Sequence, residues 1–230
     1  MKKYLLILFC SVLWITAIPG IGYSQIDEIG FGIGGLSYSG DISRGYKILD
    51  SRPGATFFLR SNANDHLSWK FAITGGKIVS SEVDGPIDAF GAQRQASFNI
   101  TAVELSTSIE YHFLKFKSES SRIRWSPYFT AGVALLSISG NSDKPVPYSS
   151  FQPAIPIGVG IKYVLNPKWM LGIEFAGRKM FFDYLDNVSE GDPLKKNYQY
   201  GNWYDNDSYY FIGFSINYAF YRIPCPFPYQ

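Results

Sequence analysis

The chain has 230 residues, with 21 Lys and Arg against 19 Asp and Glu, 17% aromatic residues and 22 glycines. A charge balance this even offers no basic surface for nucleic acid, and the aromatic and glycine content points to β architecture. Two cysteines, Cys10 and Cys225, one of them inside an N-terminal apolar run, exclude a disulfide-stapled scaffold.

Lys2 and Lys3 precede the apolar run Tyr4 to Ile18, Pro19 and Gly20 end it, and Tyr23-Ser24 before Gln25 offers a cleavage point. This layout predicts a secretory signal peptide over 1–24, since the run falls short of the ~20 residues of a spanning helix. Cys10 lacks the small residues that precede a lipidated cysteine, and cleavage leaves Cys225 as the one thiol. Removing Lys2 and Lys3 also brings basic and acidic residues to equal numbers. No later stretch reaches ~18 continuous apolar residues. If the exported chain is integral to a membrane it is therefore a barrel, because only helices and closed barrels satisfy their backbone groups in lipid.

The first predicted strand, Ile29 to Leu36, alternates Ile29, Phe31 and Ile33 with Gly30, Gly32 and Gly34. Gly30, Gly32 and Gly35 match a dinucleotide-binding spacing, but no strand precedes them and no helix follows, so that reading is set aside. The second strand sets Ala55, Phe57 and Leu59 against Thr56, Phe58 and Arg60; after a short turn at Asn62 to Asp65, the third sets Leu67, Trp69, Phe71 and Ile73 against Ser68, Lys70, Ala72 and Thr74. A polar loop runs from Ser80 to about Gln95. The fourth strand carries Val103, Leu105, Thr107, Ile109, Tyr111 and Phe113 on one face and Glu104, Ser106, Ser108, Glu110 and His112 on the other. A short basic connection, Lys115 to Arg124, leads to a fifth strand with Phe129, Ala131, Val133 and Leu135 on its apolar face, and then to a longer loop, Gly140 to Ser150.

From Ile155 to Leu165 every second residue is apolar; Asn166 and Pro167 make a tight turn, and Trp169, Leu171, Ile173 and Phe175 resume the pattern opposite Gly172, Glu174 and Arg178. This pair of strands fits a soluble sandwich with an aliphatic core, and equally a membrane barrel with apolar side chains toward lipid. After a polar insertion from Asp183 to about Asp207, the last strand sets Tyr210, Ile212, Phe214, Ile216, Tyr218 and Phe220 against Gly213, Ser215, Asn217 and Ala219.

About eight strands result, with connections that alternate long and short. Outer-membrane barrels have short periplasmic turns and longer surface loops, whereas a sandwich has no reason to segregate loop lengths. The predicted fold is therefore an all-β, antiparallel outer-membrane β-barrel over 25–222, with both termini periplasmic and the loops at Val83 to Gln93 and Asn187 to Asn202 at the cell surface. Arg60, Lys70, Glu104, Glu110, Lys162, Glu174 and Arg178 on the polar faces are predicted to pair in the interior, with one or two of them at solvated strand ends. An eight-stranded barrel is just wide enough for its side chains to fill it, which argues against a conduit for protein or solute.

His66, in a turn, and His112, at the periplasmic end of the fourth strand, place no Ser-His-Asp arrangement at the outer mouth. With a single cysteine they offer no zinc spacing, and the acids from Asp183 to Asp207 lack an EF-hand pattern. No catalytic residue, metal, cofactor or small-molecule substrate is expected. The tail 223–230 contains Pro224, Pro226 and Pro228, so it cannot extend a sheet and is predicted to reach into the periplasm. There Cys225 and Phe227 are candidates for docking a partner.

Gly34 to Ile42 (GGLSYSGDI), Ile155 to Tyr163 (IPIGVGIKY), Leu171 to Phe175 (LGIEF), Arg178-Lys179 and Asp183 to Ser189 (DYLDNVS) resemble the PorG-like outer-membrane proteins of Bacteroidetes. The resemblance extends over most of the chain after residue 24 and is strongest from Ile155 to Ser189. It implies an outer-membrane component of the type IX secretion and gliding machinery, with partners in the periplasmic ring of the PorK lipoprotein and PorN. On that basis the chain is expected to be a non-enzymatic anchor. A structural or adhesive barrel acting through its surface loops is the alternative.

Overall fold

The computed structural model describes residues 26–40, 51–81, 97–117, 121–140, 149–181, 185 and 207–221. The predicted signal peptide, the two predicted surface loops and the tail with Cys225 and Phe227 lie outside the described residues.

Eight strands follow one another: β1 (Ile26–Ser39), β2 (Arg52–Asn62), β3 (Leu67–Ser81), β4 (Ser97–His112), β5 (Trp125–Ser139), β6 (Phe151–Val164), β7 (Trp169–Met180) and β8 (Ser208–Tyr221). Each pairs antiparallel with the next, and β1 pairs with β8 from Ile26↔Tyr221 to Ser39↔Ser208, closing the barrel. Closure leaves no unpaired strand edge, the condition for β structure in lipid.

The alternation read in the sequence sorts inside from outside. Phe31, Ile33, Phe57, Leu59, Phe71, Ile73, Val103, Leu105, Phe129, Val133, Ile157, Val159, Leu171, Ile173, Phe214 and Ile216 are all exposed, and every strand contributes. The alternate positions hold buried Arg60, Lys70, Glu104, Glu110, Lys162 and Arg178. Such a barrel is inverted relative to a water-soluble one, with its largest apolar surface outside and its charges within. Toward the short-turn end the outer face turns aromatic: Trp69, Tyr111, Trp125, Tyr163 and Trp169 ring the wall, with Trp169 packed edge-on against Tyr218 at 5.0 Å. Aromatic girdles of this kind sit at membrane–water interfaces.

Several strands run further than their apolar alternation predicts. β4 starts at Ser97 rather than near Val103, and its burial shows why: Phe98, Ile100 and Ala102 point inward while Ser97, Asn99 and Thr101 point out. The pairing register does not slip there, since Lys77↔Thr101 and Leu105↔Ile73 belong to one ladder. What changes is the face that is apolar. β3 and β5 change at the same end, with Ile78, Leu136 and Ile138 buried. Together with Leu36, Tyr38, Met180, Tyr209 and Phe211 these side chains form a core inside the long-loop end of the barrel.

The connections also differ from the expected alternation in one place. Segment 113–124 is no shorter than 140–150, because its first residues fold back into the barrel mouth instead of turning directly.

Candidate functional site

The interior is the place where chemistry-bearing side chains converge. Alternation on β1 carries Glu28 inward one step before Gly30, and Glu28 is the central acceptor of a buried lattice. Arg60 Nη1 lies 2.6 Å from Glu28 Oε2, Asn62 Nδ2 donates to Glu28 Oε1 at 2.8 Å, and Lys162 Nζ donates to the same carboxylate at 3.2 Å. Arg60 also reaches Glu110, with Nε 2.8 Å from Oε2. Lys70 bridges Glu110 at 3.4 Å and Glu174 at 2.5 Å, and the Tyr128 hydroxyl donates to Glu174 at 2.8 Å. A second, separate pair lies nearer the long-loop end, where Arg178 Nε donates to Glu104 Oε2 at 3.0 Å and the Tyr209 hydroxyl to the same oxygen at 2.6 Å.

The structure thus brings Arg60, Lys70, Glu110, Lys162 and Glu174 into one connected network and holds Glu104 with Arg178 apart from it. The expectation that one or two of the seven would be solvated strand ends does not hold. The most open, Glu174, has a side chain 17% exposed and lines an internal cavity, because parity and closure leave an inward residue nowhere else to go. That cavity, about 30 Å³ and also lined by Thr56, Thr74, Ser108 and Thr130, is sized for about two water molecules.

Two glycines make the lattice possible. A Cβ on Gly30 would fall 2.2 Å from the Phe58 ring, and one on Gly160 would fall 2.4 Å from Tyr128. The absent side chains let both rings lie across the barrel, Phe58 beneath the Arg60 guanidinium at 4.7 Å and Tyr128 onto Glu174.

Sequence reasoning missed Glu28, Tyr209 and Lys117 as interior groups, while Tyr128 lies on the inward face that the fifth strand's alternation assigns it. Glu28 was legible, since extending the β1 alternation back by one step from Gly30 reaches it. Lys117 carried no periodic signal. It sits in the connection after β4, where Phe116 inserts against Met170, Ala219 and Val164 and Lys117 Nζ donates to Ser68 Oγ at 2.8 Å and to the Asn64 carbonyl at 3.1 Å. Burial, reinforced by the neighbouring Lys162 charge, lowers this amine from 10.5 to about 7.

From the short-turn end upward the interior is therefore an apolar stopper at Phe116, a charged lattice, a small hydroxyl-lined cavity, the Arg178–Glu104 pair and an apolar core. At the top of that core Leu185 is buried, its amide donating to Asp207. Among the described residues no group of three or more His, Cys, Asp or Glu is arranged to hold a metal ion.

A family model described as "Domain of unknown function (DUF6089)" matches residues 2–229. No curated protein matches the chain. Among solved structures it is similar to Neisserial surface protein A (NspA) at 14% identity, covering 84% of this chain and 97% of that one with a TM-score of 0.52. It is also similar to a major outer membrane protein from Thermus thermophilus, at 14% identity over 86% and 100% of the two chains with a TM-score of 0.48. A third is Ail, the attachment invasion locus protein of Yersinia pestis, at 12% identity over 86% and 100% with a TM-score of 0.47. At such identities the likeness is one of fold: the barrel resembles bacterial outer-membrane proteins.

Proposed function

The chain belongs to the family described as Domain of unknown function (DUF6089), and we propose that it is a non-enzymatic outer-membrane barrel that anchors the periplasmic ring of the type IX secretion and gliding machinery. The observation that carries the anchoring role is the filled interior. Among the described residues, charged, aromatic and aliphatic side chains occupy the lumen along its length apart from the cavity of about 30 Å³, which favours a function at the two rims over transport through the barrel.

The short-turn rim has the character of a platform. Asn64 Oδ1 accepts from the amides of His66 and Leu67, and Asn166 Oδ1 accepts from those of Lys168 and Trp169, so both tight turns are pinned by an Asx-type bond. Segment 113–117 is held beside them by Lys117. Anchoring to ring subunits of the PorK and PorN type is supported by the resemblance of Ile155 to Ser189 to PorG-like proteins, and the tail with Cys225 and Phe227 is the proposed docking element. A covalent contact through Cys225 is expected on non-reducing electrophoresis of native membranes as a heavier species that a Cys225→Ser strain lacks.

The deciding experiment deletes the gene and compares the secreted proteome. Retention of cargo bearing type IX signals is expected. Normal secretion of that cargo overturns the anchoring role, and normal secretion with loss of surface attachment favours an adhesive barrel working through its long loops.

A further inference from the structure

On β3, β4 and β5 the apolar face changes sides at one level. Below it, Ile73, Val103 and Leu135 point outward; above it Lys77, Thr101, Asn99 and Ser139 are exposed, with half-buried Val79 paired beside Asn99, and Phe98, Ile100 and Ile138 are turned in. A side chain that leaves lipid for water reverses its preference, so this change marks where the wall leaves the hydrocarbon. At about 3.4 Å per residue and a tilt near 40°, Phe113 to Val103 rises roughly 26 Å, close to the ~25 Å expected of an apolar band. The continuation to Ser97 adds about 15 Å, which passes through the headgroup layer and beyond it.

We propose that the outward patch of Lys77, Thr101, Asn99 and Ser139 binds the phosphorylated headgroup of a saccharolipid in the outer leaflet, an inference that rests on the outer-membrane reading above. Lys77 pairs across the ladder with Thr101, and Thr101 with Ser139, so the three stand in one row over adjacent strands, with Asn99 two residues further along β4. Lys77, Thr101 and Asn99 each offer a hydrogen-bond donor, and the Ser139 hydroxyl borders them, donating across the ladder to the Thr101 carbonyl at 3.3 Å. No carboxylate competes for the cation on these strands: β3 and β5 contain no acid, and the two in β4, Glu104 and Glu110, point inward. Directly below Lys77 on the same face, Gly75 leaves open space where a side chain would stand, with no atom within 4 Å of a built Cβ. The patch is continuous with the lipid-facing wall, so a headgroup held there keeps its acyl chains against Gly75, Val103 and Leu135.

The test uses the full chain refolded in phosphatidylcholine vesicles, with no lipid A, with monophosphoryl lipid A, or with the same lipid after its phosphate is removed. Native mass spectrometry of the extracted barrel counts retained lipid A. The wild type is expected to retain the phosphorylated form, and Lys77→Ser with Thr101→Val to lose about ten-fold in occupancy, the scale of one charge-assisted hydrogen bond. Lys168→Ser, at a short turn, is expected to retain it fully. Heat-modifiable mobility confirms folding of each variant and keeps failure of insertion distinct from failure of lipid binding. Equal retention of the dephosphorylated lipid, or unchanged retention by the double variant, overturns the proposal. Displacement of the lipid by millimolar inorganic phosphate overturns it too, because the site is then an ion site and not a lipid surface.

Discussion

Glu28 is the residue on which the charged lattice depends, and Glu28→Gln isolates its charge while keeping its shape. Its carboxylate is fully buried between Arg60 at 2.6 Å and Lys162 at 3.2 Å. With the charge gone, Arg60 retains Glu110, but the nearest carboxylate remaining to Lys162 is Glu110 at 3.9 Å. One buried cation is then poorly compensated, a defect that typically costs about 3–5 kcal/mol. Removing the orphaned partner as well, in Glu28→Gln with Lys162→Met, takes the uncompensated ion away, and the double variant is expected within about 1–2 kcal/mol of the wild type. Urea unfolding in phospholipid vesicles, followed by the mobility difference between folded and unfolded barrel on unboiled gels, measures all three proteins. A single variant as stable as the wild type, or a double variant less stable than the single, refutes the lattice as a set of mutually compensating charges.

Gly160→Val places a side chain where the Tyr128 ring lies; the expected loss is about 1–3 kcal/mol of unfolding free energy, and an unchanged urea midpoint refutes the need for an empty position there. Lys117 is held near 7 against 10.5 when free, so between those values the unfolded chain binds the extra proton and stability rises with pH. Lys117→Met is expected to flatten that rise between pH 7 and 10, and an unaltered slope assigns the pH dependence to another group. In a Cys225→Ser background, Ser81→Cys at the long-loop end of β3 is expected to react with an impermeant maleimide on intact cells and Ser121→Cys not to; the reverse pattern inverts the topology.

Most of the barrel was legible because lipid and interior demand opposite side chains on alternate residues, and from Val103 to His112 or Ile157 to Lys162 the chain obeys that demand without interruption. The seven interior charges followed from the same parity. What was not legible has a common physical origin in groups whose burial depends on tertiary closure and not on period. Lys117 and Phe116 enter the lumen from a connection, and a segment rich in Lys and Ser carries no sign that it folds inward. The glycines on β1 and β6 read as alternation spacers, and their need appears only once the Phe58 and Tyr128 rings lie over them.

The early ends assigned to several strands have a different cause, and it bears on how such chains work. In β4 the apolar residues occupy even positions through Phe98, Ile100 and Ala102 and odd positions from Val103 onward, a change that alternation analysis reads as the end of a strand. In a soluble sheet a reversal of this kind requires a bulge or a register slip to keep one face in the core. Here the ladder runs straight through it, so the backbone is continuous and the surroundings are what change, from lipid outside and charges inside to water outside and an aliphatic core inside. The two halves are stabilised differently, one by paired charges shielded from water and the other by burial of Ile78, Ile100, Leu136 and Met180. Substitutions in the upper core should therefore act through cavity formation, independently of ionic strength, while those in the lattice act through charge. Ile100→Ala is expected to lose about 2–5 kcal/mol without altering the response of the lower half to loss of Glu28, so the two substitutions should be additive to within about 0.5 kcal/mol. Strong coupling between them would mean that the barrel unfolds its two tiers as one electrostatic unit, contrary to the division at Ala102–Val103.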